Sequence, residues 1–248
     1  MYTHEFQVRY SEIDSTGCLS MTGLLRMLQD TGYAHAEARN MGIARTIPEG
    51  KTWYLISWDI RAERMPRVGE QIFVDTWFYF LAGSVAKKNL VIRDARNHIL
   101  AAADTRWVYM HVGLQVPIEA PKNQWPKEDF GEAYAGFRER VKRIPSIDGT
   151  VSGAEKLPIT AIRPCHLDTN GHANNTKLTE FAMELAGADC DTGLRGIRAE
   201  YLRQVHLEDV LQPYVMQDGG RTCISLWNQA GEEMTRFAFS SLAEARGE

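Results

Sequence analysis

Pro158-Ile-Thr-Ala-Ile-Arg-Pro-Cys-His-Leu-Asp168-Thr-Asn170-Gly171-His172 is the second of two related stretches; the first is Phe6-Gln-Val-Arg-Tyr-Ser-Glu-Ile-Asp14-Ser-Thr16-Gly17-Cys18. Asp14 and Gly17 stand 154 residues before Asp168 and Gly171. Further on, the tetrapeptide Ile-Arg-Ala-Glu occurs twice, at Ile60–Glu63 and at Ile197–Glu200, 137 residues apart. The same features in the same order point to an internal duplication, with a longer helix and loop in the first half taking up the difference.

The residues that follow each stretch agree. Leu178, Phe181, Ala182 and Leu185 fall at the i, i+3, i+4, i+7 spacing of a helix that buries one face. Asn174 or Asn175 suits its start and Gly187 its end, which predicts a helix over 174–186. Leu24, Met27, Leu28 and Thr31 repeat the pattern in the first half, with Ser20 or Thr22 as N-cap and Gly42 as stop signal. Runs rich in Val, Ile, Phe, Trp and Tyr then predict strands at 53–63, 71–80, 85–93 and 99–111, and again at 197–206, 209–217, 222–228 and 234–241. Asp218-Gly219-Gly220 and Ala230-Gly231 are turn-forming and make the later strands antiparallel neighbours. Residues 113–156 carry Pro117, Pro121, Pro126 and Pro145 with little periodicity, which reads as a long surface connection. The expectation is an α+β chain of two units, residues 1–112 and 157–248, joined by a linker over 113–156. Each is a long helix wrapped by a curved antiparallel sheet, a tandem hot-dog arrangement.

The chain has 248 residues, of which 44% are hydrophobic and 24% charged, the balance of a packed soluble protein. A net charge of −4 supplies no basic field for nucleic acid, so none is expected as partner. The longest conspicuous uncharged run, Thr76 to Ala86, is too short to span a bilayer, and Met1-Tyr-Thr-His-Glu-Phe carries no export or transit character, so a cytoplasmic address is expected. Cys18, Cys165, Cys190 and Cys223 lie far apart without C-x-x-C spacing, which argues for reduced thiols and against a zinc or redox framework.

Asp168-Thr-Asn170-Gly-His172-Ala-Asn174-Asn175 puts a carboxylate, an imidazole and three amides into eight residues at a helix entry. Turn formation and capping account for Asn174 and Asn175. They account less well for two acid/base-capable groups four residues apart, and the residues alone leave cap and site as equal readings.

Residues 157–212 resemble the C-terminal half of the acyl-acyl carrier protein thioesterases of plants and bacteria, whose pattern is D-x-N-x-H-x-N-N followed by a strand of the type E-Y-x-x-E-C. Lys51-Thr-Trp-Tyr-Leu-Ile-Ser-Trp58 and Met65-Pro-Arg-Val-Gly-Glu-Gln-Ile-Phe-Val-Asp-Thr-Trp77 extend the likeness into the first half. The resemblance implies a tandem hot-dog fold, hydrolysis of fatty acyl thioesters on acyl carrier protein within fatty acid biosynthesis, and no cofactor or metal. The family's functional Asp, Asn and His fall on Asp168, Asn170 and His172, all intact. Its strand Glu falls on Gln204 and the following Cys on Val205, a departure that leaves no acidic base there. Glutamine cannot accept a proton near neutral pH, so proton transfer passes to Asp168 or His172 while Asn170 and Gln204 orient. Asp168 then either activates water or attacks through an acyl anhydride. Free N–H groups where the helix begins, beside Asn174 and Asn175, stabilise charge on the carbonyl oxygen.

By the repeat, Cys18 stands where the second half has His172 and Thr16 where it has Asn170, so the first half lacks the acid/base set. Its expected task is to shape the acyl pocket through Leu24, Met27 and Leu28. Arg138-Glu-Arg-Val-Lys-Arg143 is a charged run that suits an acidic carrier protein or, more simply, a solvated face. A homodimer is left open. Three other readings stay beside the hydrolase: an acyl-CoA thioesterase, a hot-dog hydratase, and a non-catalytic acyl-binding protein.

Overall fold

Alternating apolar residues build the strands of this protein, whose structure, a computed structural model, describes residues 1–137, 143–188 and 193–241. The chain divides into two units, Met1–Arg140 and Val141–Glu248. Cys190 and all but the last residue of the charged run at 138–143 lie outside the described residues.

Unit 1 runs β1 (Tyr2–Gln7), α1 (Met21–Ala38), the single turn α2 (Ile43–Thr46), β2 (Lys51–Ala62), β3 (Gln71–Ala82), β4 (Val85–Asp94), β5 (Ile99–His111) and the short β6 (Val116–Pro117). Its strands lie in the order β1-β3-β4-β5-β2, every neighbour antiparallel. Ser20 is the N-cap of α1, its Oγ accepting the Gly23 N–H at 3.0 Å. Leu24, Leu25, Met27 and Leu28 form a buried stripe on this helix, which packs on β1 and β3.

Unit 2 runs β7 (Glu155–Lys156), β8 (Thr160–Ala161), α3 (Asn175–Ala186), β9 (Gly196–Tyr201), β10 (Val210–Asp218), β11 (Arg221–Trp227) and β12 (Glu233–Ser240). Pairing runs β8-β10-β11-β12-β9, with β7 also on β10. That order reproduces unit 1 strand for strand. Even the irregularity between Ile92 and Arg93, where β4 pairs β5, recurs between Leu226 and Trp227, where β11 pairs β12. The α3 helix starts at the Asn174 cap, ends at Gly187 (φ 58°) and packs against β11 and β12.

One part of the expected repeat is out of register. The Glu63 and Arg64 N–H groups both donate to the Leu100 carbonyl, as those of Leu202 and Arg203 do to Met234. The counterpart of Ile60–Glu63 is therefore Ala199 to Leu202, two residues beyond the second Ile-Arg-Ala-Glu. A two-residue slip keeps every side chain on its face, so the tetrapeptide suits either register.

Three further expectations are corrected. The stretch 113–156 is not a free linker, because its first part packs into unit 1 and its later part into unit 2. Ala120 and Trp125 join the core of Met41, Phe78, Leu81 and Tyr109, and the Trp77 Nε1–H donates to the Glu132 carbonyl. Ile144 and Ile147 pack with Cys223 and Ala238, and the Ile147 N–H donates to Ser225 Oγ. Gly42 does not stop α1; the helix ends at Ala38, Arg39 is its C-cap, and Gly42 caps α2. The strand expected over 197–206 ends at Tyr201.

Candidate active site

Asp168 builds the turn that leads into α3. Its Oδ1 accepts the backbone N–H groups of Asn170 (2.7 Å) and His172 (3.2 Å), and its own N–H donates to the His172 carbonyl at 2.8 Å. Gly171 occupies the left-handed region (φ 77°) that closes the turn, a conformation a side chain would strain. Leu167 then bridges Ala173, and the Asn174 N–H reaches back to the His166 carbonyl at 2.8 Å.

Unit 1 holds the same turn. Asp14 Oδ1 accepts the Thr16 N–H at 2.9 Å, its N–H donates to the Cys18 carbonyl at 2.8 Å, and Gly17 has φ 78°. Leu19 donates to Pro66 as Ala173 does to Val205, and Cys18 bridges Arg67 as His172 bridges His206. The carboxylate-and-glycine scaffold is thus common property of both units. What unit 2 adds is Asn170, His172 and His206 in place of Thr16, Cys18 and Arg67.

His172 is half-buried, and the edge of one imidazole meets the face of the other where it packs against His206, ring centres 4.9 Å apart at 83°. Burial pushes the His172 pKa below its ordinary value, the Asp168 charge pulls it up and His206 pushes it down. Burial thus favours the neutral, base-capable form of the ring. With Oδ1 committed to the turn, Asp168 Oδ2 has no hydrogen-bond partner among the described residues.

Asn174 is the cap of the two asparagines offered by the sequence. Its Oδ1 accepts the Thr176 N–H at 2.9 Å and the Thr176 hydroxyl at 2.6 Å, so one of the expected free N–H groups is already occupied. The Asn175 carbonyl accepts the Thr179 hydroxyl (2.8 Å) and the Tyr201 hydroxyl (3.1 Å), which ties the first turn of α3 to the end of β9. Tyr201 and His206 were both missed. His206 is exposed and sits in a loop, without the periodicity that marks an inward residue.

Gln204 lies beyond the end of β9, half-buried in the loop whose Val205 carbonyl accepts the Ala173 N–H at 2.7 Å. The structure thus brings Gln204 to the neighbourhood of the turn by backbone, not on a strand. Leu24, Met27 and Leu28 are fully buried in the packed face of α1, and the cavity of unit 1 begins further along that helix, at Gly32, Tyr33 and Ala36. No helix among the described residues is long and apolar enough to cross a membrane, and no cluster of three or more His, Cys, Asp or Glu side chains among them could hold a metal ion.

Two units of one helix and one antiparallel sheet, in the same strand order, define a tandem hot-dog protein. The fold superposes on an acyl-ACP thioesterase from Bacteroides thetaiotaomicron (TM-score 0.82, 19% identity, 96% of each chain) and on the 12:0-ACP thioesterase from Umbellularia californica (TM-score 0.80, 18% identity, 96% of each chain). Residues 1–121 match the family model of the acyl-ACP thioesterase N-terminal domain. A chloroplastic palmitoyl-acyl carrier protein thioesterase of Cuphea hookeriana is 23% identical over 231 residues, covering 88% of this chain and 55% of its own. A chloroplastic dodecanoyl-[acyl-carrier-protein] hydrolase of Cinnamomum camphora is 21% identical over 233 residues, 89% of this chain and 60% of its own. In its first 121 residues and in its fold the chain is similar to acyl-acyl carrier protein thioesterases. It spans little more than half the length of the curated relatives it matches.

Proposed function

We propose that the chain hydrolyses the thioester between a fatty acyl group and acyl carrier protein, releasing the free acid and the carrier thiol. The observation that carries this reading is the turn before α3, in which Asp168, Asn170 and His172 stand together where the resemblance places the family's functional residues. Water loses a proton to the Asp168 Oδ2 carboxylate or to neutral His172 as its oxygen bonds to the thioester carbonyl carbon, and the tetrahedral adduct then collapses by breaking the C–S bond, the departing thiolate taking the proton back. The α3 N-terminus lies beside the same turn and favours negative charge on the carbonyl oxygen. Gln204 orients water or the carbonyl from its loop. A cytoplasmic address and a carrier-protein partner belong to this proposal; the two curated relatives named above are chloroplastic.

The test is release of free thiol from acyl carrier protein loaded with acids of graded chain length, beside the matching coenzyme A esters and an enoyl substrate. Hydrolysis of the carrier-bound acids with a length optimum is expected. Preference for coenzyme A, water addition to the enoyl chain, or bound lipid without turnover would each replace this reading by one of its rivals.

A further inference from the structure

Two loops meet where unit 2 places a pair of histidines. His172 and His206 face each other across an antiparallel bridge, and beside it the Ala173 N–H donates to the Val205 carbonyl at 2.7 Å. The two imidazoles meet edge to face, 4.9 Å apart at 83°, a geometry in which ring pairs attract. The His206 ring has no hydrogen bond among the described residues, and His172 is its one ring partner there.

The shape of the loop does not depend on that ring. The His206 N–H donates to Asp209 Oδ2 at 2.7 Å, and the Asp209 N–H returns to the His206 carbonyl at 3.2 Å. The Glu208 N–H donates to the Ile162 carbonyl at 3.2 Å and the Ile162 N–H to the Asp209 carbonyl at 2.8 Å. Unit 1 repeats each of these bonds around Arg67. The Arg67 N–H donates to Glu70 Oε2 at 3.0 Å, the Glu70 N–H to the Arg67 carbonyl at 3.0 Å, the Gly69 N–H to the Val8 carbonyl at 2.8 Å and the Val8 N–H to the Glu70 carbonyl at 3.0 Å. Glu208 even keeps the left-handed backbone of Gly69, φ 69° against 80°, where a side chain is strained. The two units therefore agree in the backbone and differ in both members of the facing pair: Arg67 opposite Cys18, His206 opposite His172.

A ring that its own loop does not need, packed on the proposed base, acts through that base. We infer that His206 is a positioning residue, whose ring holds the His172 imidazole at the one rotation that serves proton transfer. The inference rests on the proposed thioester hydrolysis for the step that His172 serves. Without its partner the imidazole is free to visit other side-chain rotamers, which turn its base nitrogen away from the reacting atoms. Burial lowers the His172 pKa, Asp168 of its own turn raises it and His206 of the facing loop lowers it. Deleting the His206 ring thus raises it on two counts, by opening the His172 ring to water and by removing a neighbouring cation.

Two variants test this: His206→Ala deletes the ring, and His206→Phe keeps the edge-to-face packing without a titrating nitrogen. Ring resonances of histidine-labelled protein, assigned through His172→Ala, read the effect with no substrate present. The His172 titration midpoint should rise in His206→Ala and rise less in His206→Phe. On an acyl carrier protein substrate, His206→Ala should lower kcat about 10-fold, the scale of one aromatic pair, with KM unchanged, and His206→Phe should restore most of the loss. In a His172→Ala background, deleting the His206 ring should cost nothing further. A His172 midpoint that His206→Ala leaves unmoved, or an equal loss of rate with His172 absent, overturns the inference. If the unaltered protein hydrolyses no carrier-bound acid, the proposed reaction falls, and the ring titration upholds or overturns the His206 assignment by itself.

Discussion

Asp168 holds the turn with Oδ1 and, in the proposed reaction, takes the proton on Oδ2. Asp14 makes the same turn in unit 1 without a histidine beside it, so holding the turn needs only an acceptor at Oδ1. Asp168→Asn keeps that acceptor and removes the charge. Turnover on an acyl carrier protein substrate should fall at least ~100-fold with the thermal midpoint unchanged; a variant of full activity would remove Asp168 from the mechanism. The pH dependence carries a sign as well. The Asp168 charge raises the His172 pKa against the burial that lowers it, so the residual activity of Asp168→Asn should extend to lower pH. His206 acts the other way, and His206→Ala should move the acid limb upward. An unmoved limb in both variants would show that His172 is not the titrating base.

At the scale of elements, the entry to α3 is set by one side chain. Asn174→Ala leaves the Thr176 N–H and hydroxyl without their acceptor, and should cost about 1 kcal/mol in urea unfolding. Asn174→Asp, which retains the acceptor, should cost far less; equal losses would mean the cap is not what Asn174 supplies. This helix was almost fully legible in the sequence, because the apolar stripe, the asparagine before it and Gly187 after it report the same element independently. Gly42 misled, since a glycine marks a break in helix without saying on which side, and here it opens α2. Gln204 misled differently. Val205 is buried as an inward strand residue would be, yet it belongs to a loop fastened to Ala173, and burial in the sequence pattern does not separate the two. The buried ionisable cluster of unit 1 was not legible at all, since Lys88 reads as a polar residue of a strand until the structure places His35 against it.

Lys88 of β4, His35 and Arg39 of α1 and Asp129 of the segment after β6 lie together in unit 1, with Lys88 Nζ 2.9 Å from His35 Nδ1, His35 Nε2 2.9 Å from Asp129 Oδ2 and Arg39 donating twice to Asp129, at 2.7 and 2.9 Å. Burial of His35 and Lys88 ties stability to pH. His35 is neutral in the folded state down to about 3 against 6.5 in a free chain, and Lys88 loses its proton near 7 against 10.5. In both cases the unfolded chain binds more protons, so stability rises with pH across each window and is lost as pH falls through it. Urea midpoints should therefore climb between pH 7 and 10.5 in the unaltered protein. In Lys88→Met that climb should disappear, and below pH 7 the variant should be the more stable because no charge is buried. Equal slopes for the two proteins would show that Lys88 titrates as it does in water.

The twin turns also say how each would age under random mutation. A carboxylate accepting two amides and a glycine at positive φ are demanded by the backbone in both copies, whereas Thr16 and Cys18 fill the positions that Asn170 and His172 hold in the proposed site of unit 2. A saturation library selected for lipid release should accordingly read as two texts with shared punctuation: Asp14, Gly17, Asp168 and Gly171 intolerant alike, Asn170 and His172 intolerant, and positions 16 and 18 open to many residues. The first copy shares the grammar without the vocabulary, and a library in which positions 16 and 18 were as closed as 170 and 172 would reveal a second task in the first unit.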